Sequence, residues 1–192
     1  MGRLLVVGFA LILSVPAFAS TWELDPAHSS VQFAVSHLMV STVRGTFDKF
    51  TGTVNLDEAD PTKSSVEATI DAASIDTREP KRDSHLKSPD FFDVEKFPTI
   101  AFKSKSIAKS GDKFNVVGDV TIHGVTKEIT LEATGSPKPM QDPMGHTKLG
   151  GEVHGKLNRK DFGMTWNKGL DNGGVVVGDE VTITIDVELV KK

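Results

Sequence analysis

The stretch VTITIDVEL, residues 181–189, decides the fold, because apolar and polar residues alternate along all of it. A period of two turns every second side chain to the same face, so the stretch predicts a β-strand with one apolar and one wet face. The same alternation recurs at residues 31–35, 50–56, 66–71, 100–102, 114–122, 129–133 and 153–157, and residues 22–24 add a short strand. We therefore expect about eight or nine strands, each with a single wet face.

Short connections join several of these strands. Ser110-Gly111-Asp112 and His123-Gly124 are tight, glycine-containing turns of the kind that links antiparallel neighbours. So many strands in one domain must pack as two sheets or close on themselves, and closure removes the unpaired edges. We predict an all-β fold, a closed antiparallel up-and-down β-barrel of about eight strands. The pattern leaves open whether side chains fill its interior or leave room for a small ligand.

The segment from Arg78 to Phe97 interrupts the alternation. Pro80 suits the first turn of a helix and Pro89 would stop it, so a short helical insertion is expected. The segment mixes basic groups, acids and phenylalanines, which fits two roles equally well. It could be a plug that caps one end of the barrel, or the charged rim of a ligand entrance.

Residues 1–19 have the features of a secretory signal peptide. Arg3 precedes an apolar run, and Ala17 and Ala19 are small residues at the two positions that specify cleavage. The run is too short for a membrane span, which needs about 20 residues. The mature chain is then residues 20–192, one exported domain expected in the periplasm. It contains no Cys, so its core must hold the fold without disulfides.

Composition and motifs exclude several functions. The net charge of −4 and the lack of a Lys/Arg block disfavour a nucleic-acid partner. We find no nucleophile elbow, zinc motif or phosphate loop, so no catalytic residue, metal or cofactor is expected. An acid–base enzyme remains an alternative, with His37, His85 or the acids Asp83, Asp90, Asp93 and Glu95 as its groups. An outer-membrane barrel is disfavoured because the alternate strand faces are polar and Tyr is absent.

Several spaced blocks of sequence carry a family resemblance. They are WELDPAHS (22–29), VRGTF (43–47), HLKSPDFFD (85–93), GDVTIHGVTK (118–127), RKDFGM (159–164) and VGDEV (177–181). Together they resemble the YceI-like family of polyisoprenoid-binding periplasmic proteins, over nearly all of the mature chain. The resemblance implies a lipocalin-like barrel whose interior holds a long isoprenoid chain, such as that of an isoprenoid quinone or a polyprenyl phosphate.

Strand parity then assigns the expected ligand contacts. The residues expected to line the lipid tail from the strands are Phe33, Val35, Phe50, Val54, Ile100, Phe102, Val116, Val120, Leu131, Ile183 and Ile185. Those expected to close one end over the tail are Phe91, Phe92, Phe162, Met164 and Trp166. The candidates for the head group are His37, Arg44, Arg82 and His85, of which the basic ones suit a phosphate.

The function expected from these assignments is a carrier or store for an isoprenoid lipid that is not an enzyme. Such a protein could exchange its lipid with a membrane without being embedded in it, and a homodimer is left open. The glycine-rich connection at residues 159–180 fits either a flap over the cavity or a packed loop.

Signal-peptide cleavage is expected after Ala19, which leaves Ser20 as the first residue of the mature chain. Sequencing the N-terminus of the exported protein checks this. Recovery of a chain that still begins at Met1 would instead indicate a membrane anchor.

Overall fold

A computed structural model describes residues 19–135, 138–171 and 173–192. The predicted signal peptide therefore lies outside the described residues, apart from Ala19, which begins the first strand. The strands are β1 (Ala19–Leu24), β2 (Ser30–His37), β3 (Ser41–Phe47), β4 (Phe50–Asp57), β5 (Ser65–Asp71), β6 (Ile75–Asp76), β7 (Thr99–Ser110), β8 (Lys113–Ile122), β9 (Val125–Gly135), β10 (Met140–Gln141), β11 (Thr147–Asn158) and β12 (Val177–Lys191). The helices are α1 (Pro80–Lys87) and the short 3-10 helices Pro61–Lys63, Ala72–Ser74 and Arg159–Phe162.

All of these strands belong to one antiparallel sheet that closes on itself. The pairing of β11 with β12 joins the two ends of the meander. Four of the eight wall positions are each occupied by two strands that lie end to end. β1 and β2 share the position beside β12, and the other three pairs are β3 with β4, β5 with β6 and β9 with β10. The described chain thus forms a closed eight-stranded barrel, which confirms the predicted fold.

Alternating burial along the strands shows why the chain folds this way. In β8, Val116, Gly118, Val120 and Ile122 are buried, while the residues between them are partly exposed. The apolar parity therefore faces the barrel interior and the polar parity faces water. No helix in the described ranges is long and apolar enough to cross a membrane.

One stretch of the wall is closed by side chains and not by strand pairing. β9 and β11 pair only where Glu132–Gly135 meets Gly151–His154. Toward the other end they diverge, and a polar groove of about 300 Å³ lies between them. The Leu131 side chain packs against Gly155, where any Cβ would collide with it. Apolar packing therefore completes the inner wall along this seam.

α1 and the residues that follow it cap the end of the barrel where β8 and β11 finish. Glu79 accepts a hydrogen bond from Lys81 N–H at the helix start, and Pro80 occupies the first turn, as predicted. Beyond the helix, the Phe91 side chain is only 6% exposed. Phe92 lies edge-on to Phe47 of β3, with ring centroids 5.7 Å apart. Of the two predicted roles for this segment, the structure has the plug.

A buried arginine ties the last connection to the same end. Arg159 is 3% exposed, and its guanidinium donates five hydrogen bonds. Four acceptors are backbone carbonyls, those of Met164, Trp166, Val177 and Gly178, at 2.6 to 3.4 Å. The fifth is the Asp179 carboxylate at 3.3 Å. Arg159 therefore anchors both ends of the last connection, and Asn167 adds two hydrogen bonds to the backbone of Val177.

Replacing Arg159 with Met should lower the free energy of unfolding by about 3 kcal/mol or more, because the carbonyls of Met164, Trp166 and Gly178 lose this donor in a buried site. Urea unfolding followed by circular dichroism measures the loss. Lys160→Met is the matched control, since Lys160 is exposed and pairs only at the surface with Asp179. We expect it to change stability by less than about 1 kcal/mol. Equal effects of the two substitutions would contradict the role given to Arg159.

Candidate functional site: an apolar cavity

The barrel encloses a cavity of about 680 Å³. Ligand pockets in proteins occupy roughly 300–1,000 Å³, so the cavity has the size of a binding site. Every position in the barrel wall contributes to its lining, which is almost entirely apolar side chains. Such a wall can bind a ligand by excluding water but offers it few hydrogen bonds.

Most of the residues predicted to contact a lipid tail line this cavity. They are Phe33, Val35, Val54, Phe91, Phe92, Ile100, Phe102, Val116, Val120, Leu131, Met164, Ile183 and Ile185. They come from six strands and from both segments that cap the barrel. Strand parity was therefore a good guide to which side chains face inward.

Phe50, Phe162 and Trp166 were predicted with them but lie outside the cavity wall. Phe50 and Phe162 are 9% and 1% exposed and belong to the packed core near the capped end. Trp166 lies against the plug, with its ring centroid 5.4 Å from that of Phe91. Parity predicts which face of a strand a residue such as Phe50 occupies, but not its distance from the capped end of the barrel. Near that end the interior is filled by side chains.

The cavity wall also contains residues that had not been singled out. Apolar examples are Trp22, Leu24, Phe47, Leu56, Val66, Phe114, Ala133, Val153, Val187 and Leu189. Most of them sit on the apolar parity of a predicted strand, so the alternation carried their signal. Arg159 had no such signal, because a charged residue in a predicted connection gives no indication that it is buried.

None of the four predicted head-group residues, His37, Arg44, Arg82 and His85, lines the cavity. Arg44 is exposed on the outer parity of β3. Arg82 donates from Nε and Nη2 to the side chain and carbonyl of Thr77, both at 2.8 Å. His85 Nε2 lies 2.8 Å from Asp90 on the outside of the plug. His37 is the last residue of β2. Local partners satisfy Arg82 and His85, which the sequence could not indicate.

The two ends of the cavity differ in how well they are closed. At the capped end, Phe91, Met164 and Arg159 are 6%, 5% and 3% exposed. At the opposite end, where β4, β7 and β9 finish, the lining includes the exposed residues Pro61 and Pro139. We call this end the mouth, because solvent reaches the cavity lining there.

The polar groups at the mouth are already paired. Glu58 lines the cavity, and its Oε1 accepts hydrogen bonds from Lys191 Nζ at 2.6 Å and Ser20 Oγ at 2.9 Å. Its pKa lies below the ordinary value, mainly because of the hydrogen bond from Lys191. Trp22 Nε1 donates to Ser20 Oγ at 2.7 Å, so the indole N–H is satisfied too. The rim therefore carries little net charge toward a ligand.

One group outside the cavity has the residue types of a metal site. Asp25, His28 and Glu188 place potential ligand atoms within 4.8 Å of one another. However, Lys148 Nζ lies 3.2 Å from Asp25 Oδ2 and 2.6 Å from Glu188 Oε1. Hydrogen bonds from His28 and then Lys148 hold the pKa of Asp25 at about 2. The ammonium group already balances these carboxylates, so the cluster is an ion-pair network and not a metal centre.

The fold and the cavity define a class of protein, the closed β-barrels with an apolar internal cavity. Residues 22–189 match the YceI-like domain, and the chain belongs to the YceI-like family. It is 38% identical over 178 residues to protein YceI of Salmonella newport, which covers 92% of this chain and 90% of that protein.

Solved structures agree with this assignment. BcnA of Burkholderia cenocepacia superposes with a TM-score of 0.74 at 27% identity, covering 86% of this chain and 98% of that one. A polyisoprenoid binding domain from Saccharophagus degradans superposes with a TM-score of 0.64, covering 89% of this chain and 98% of that one. At 14% identity the second likeness concerns the fold alone.

The two tryptophans provide a test of the cavity's position. Trp22 lines the cavity and is fully buried, whereas Trp166 lies against the outside of the plug. A prenyl lipid with a nitroxide spin label on the isoprene unit next to its head group should quench the emission of the Trp166→Phe variant, which keeps only Trp22 near the mouth. The matched Trp22→Phe variant should be quenched much less. Equal quenching would place the tail elsewhere.

Proposed function

We propose that this protein binds an isoprenoid lipid in its barrel cavity and stores or carries it in the periplasm, without catalysing a reaction. The observation that carries the proposal is the apolar cavity of about 680 Å³, lined from every position in the wall and sealed at one end. The choice of ligand follows the resemblance of the sequence blocks to a polyisoprenoid-binding family, and a protein of the same fold is described as a polyisoprenoid binding domain.

The energetics of such a ligand suit this cavity. Each isoprene unit has five carbons, and burial of a methylene-sized group contributes about 0.8 kcal/mol, so one unit contributes a few kcal/mol before ordering costs. Several units in a dry cavity are sufficient for tight binding. Branched hydrocarbon requires no hydrogen bonds, which matches a wall that offers so few.

The charges around the cavity favour a neutral head group. Among the described residues that line it, Arg159 is the only basic one, and protein acceptors already occupy its guanidinium donors. A phosphate would therefore find no cation ready to receive it, and it would face the Glu58 carboxylate at the mouth. An isoprenoid quinone, with a small uncharged ring at the mouth, fits better than a polyprenyl phosphate.

The alternative of an acid–base enzyme has no support from the cavity. Neither the candidate histidines nor the acids of residues 83–95 contribute to its wall. Asp93 is buried, but its carboxylate is engaged by Lys96 Nζ at 2.9 Å. A binding role requires none of these groups to approach the ligand.

Export is the part of the proposal that rests on the sequence. The basic residue, apolar run and small residues of positions 1–19 support it. Native mass spectrometry of protein purified from its own periplasm, followed by organic extraction, would identify a co-purified prenyl lipid. A protein that carries no lipid and takes none up would argue against the proposal.

Replacing Val153 with Trp tests the site itself. Val153 lines the cavity between Ala133 and Ile185, and a large apolar side chain there occupies space that the tail would fill. We expect at least about a tenfold loss of affinity for solanesol, a long polyprenol, in a barrel that still folds. Overpacking a filled core costs about 1–3 kcal/mol, and an open cavity should cost less.

The matched control is His154→Trp, one residue further along β11. His154 is 43% exposed on the outer face beside Glu152, so the same indole there leaves the cavity unchanged. Solanesol binding by delipidated protein, measured by mass spectrometry, and thermal unfolding give the two readouts. Undiminished binding by a folded Val153→Trp variant would remove the cavity from consideration.

A further inference from the structure

The hairpin at the mouth presents apolar side chains to solvent. This mouth hairpin consists of β10, the turn at residues 142–146 and the start of β11. Met140 is 72% exposed and Met144 is 79% exposed. Exposed methionines on a loop rimming an apolar cavity are unusual enough to suggest a partner, because soluble surfaces normally carry such side chains singly.

The turn holds Met144 in its exposed position. The Asp142 carboxylate accepts hydrogen bonds from the backbone N–H groups of Met144 at 2.8 Å and His146 at 2.9 Å. Gly145 N–H donates to the Asp142 carbonyl at 3.0 Å, and its φ of 86° suits glycine. A turn with this many internal bonds is preorganised, so the exposure of Met144 is a feature of the fold.

The base of the hairpin is fixed to the barrel. Lys148 pairs with Glu188 of β12 at 2.6 Å and with Asp25, which follows β1, at 3.2 Å. His146 Nδ1 lies 3.0 Å from Asp142 Oδ2. These contacts set the direction in which the turn projects. The two methionines therefore keep a defined position relative to the mouth.

The base of the hairpin borders the cavity. Pro139, next to Met140, and Leu149 at the start of β11 both line the cavity. Met140 lies opposite Lys148 in the pairing of β10 with β11, so its side chain is on the face of the hairpin away from Leu149. The exposed methionines therefore stand beside the mouth, on a hairpin whose base lines the cavity.

A second exposed apolar turn lies at the other end of the barrel and has no such path. Leu38, Met39 and Val40 are 37%, 69% and 84% exposed between β2 and β3. Two buried residues, Phe91 of the plug and Met164 of the last connection, separate that end from the cavity. The two turns are alike in exposed apolar character, so the position of the mouth hairpin beside the open end of the cavity distinguishes them.

Several charged groups around the mouth form ion pairs. Lys191 pairs with Glu58 at 2.6 Å, and Lys192 pairs with Glu23 at 2.7 Å. The chain as a whole carries a net charge of −4, which would oppose approach to an anionic surface. A zwitterionic bilayer matches this combination of apolar tip and balanced rim.

We propose that the mouth hairpin docks on a zwitterionic lipid bilayer, burying Met140 and Met144 among the acyl chains. The isoprenoid tail then passes between bilayer and cavity along the Pro139 and Leu149 surface without crossing water. This inference rests on the proposed function for its account of lipid transfer. Docking itself, however, can be measured without any isoprenoid present.

The test compares a Met140→Gln, Met144→Gln double variant with Met39→Gln. Glutamine is close to methionine in length but polar, and Met39 supplies an equally exposed methionine at the capped end. We expect the wild type and Met39→Gln to co-float with phosphatidylcholine vesicles. The double variant should lose about tenfold or more in vesicle affinity. Adding anionic lipid should not strengthen binding.

Lipid transfer gives the second readout. Solanesol uptake from phosphatidylcholine vesicles should slow about tenfold or more in the double variant, while uptake from detergent solution stays at the wild-type rate. Unchanged uptake from vesicles, or an equal loss in Met39→Gln, would overturn the docking proposal. So would self-association through the methionines without any binding to vesicles.

The two proposals fail in different ways. If the wild type takes up no solanesol from either source, the binding function is rejected. Co-flotation would then still decide the docking proposal, because it uses vesicles that contain no isoprenoid.

Discussion

In this protein the closed ring of eight antiparallel strands encloses more space than its inward side chains fill. The rest of the structure depends on this closure of the strand ring. Near the plug, Phe47, Phe91 and Met164 fill the interior. Toward the mouth, the small residues Ala133, Gly135, Gly150 and Gly151 line it together with larger ones such as Trp22 and Phe114. The small residues on β9 and β11 leave space inside the ring that the larger side chains do not fill.

The plug makes the cavity one-ended by hydrogen bonding as well as by packing. Aromatic rings from residues 91–97 cover the strand ends, and Arg159 gathers the carbonyls of the last connection beside them. Burial lowers the pKa of this guanidinium, and Asp179 partly opposes the effect. The charge is kept because so many acceptors surround it. The Arg159 guanidinium therefore stabilises the last connection, and it has no free hydrogen-bond donor for a ligand.

Alternation along single strands allowed the barrel and most of the cavity wall to be predicted from the sequence. Val120 and Ile183 could be placed inside because each strand carries its own two-residue period. Parity predicted that Phe50 lines the cavity, but it lies in the packed core, because the filling of the interior at a given height depends on other strands. His85 and Arg82 were predicted as head-group contacts, but their side chains bond to Asp90 and Thr77. These pairings depend on the folded structure and cannot be read from the sequence. Buried charge at position 159 had no local signal at all.

The register of β12 has a consequence for the order in which the protein can form. Most barrel neighbours are joined by short connections and can pair early as hairpins. The exception is β12 beside β1 and β2, where Ser30 and Asp186, 156 residues apart in the chain, are joined by a hydrogen bond. Closing so long a loop carries an entropy cost that grows with the logarithm of its length.

During synthesis β1 and β2 therefore lack their partner strand until β12 has been made. Until β12 arrives, β2 and β11 remain open edges and the inward face is accessible to water and to other chains. We expect ring closure to be the late step of folding. The interior becomes a separate compartment only when the two termini of the barrel meet.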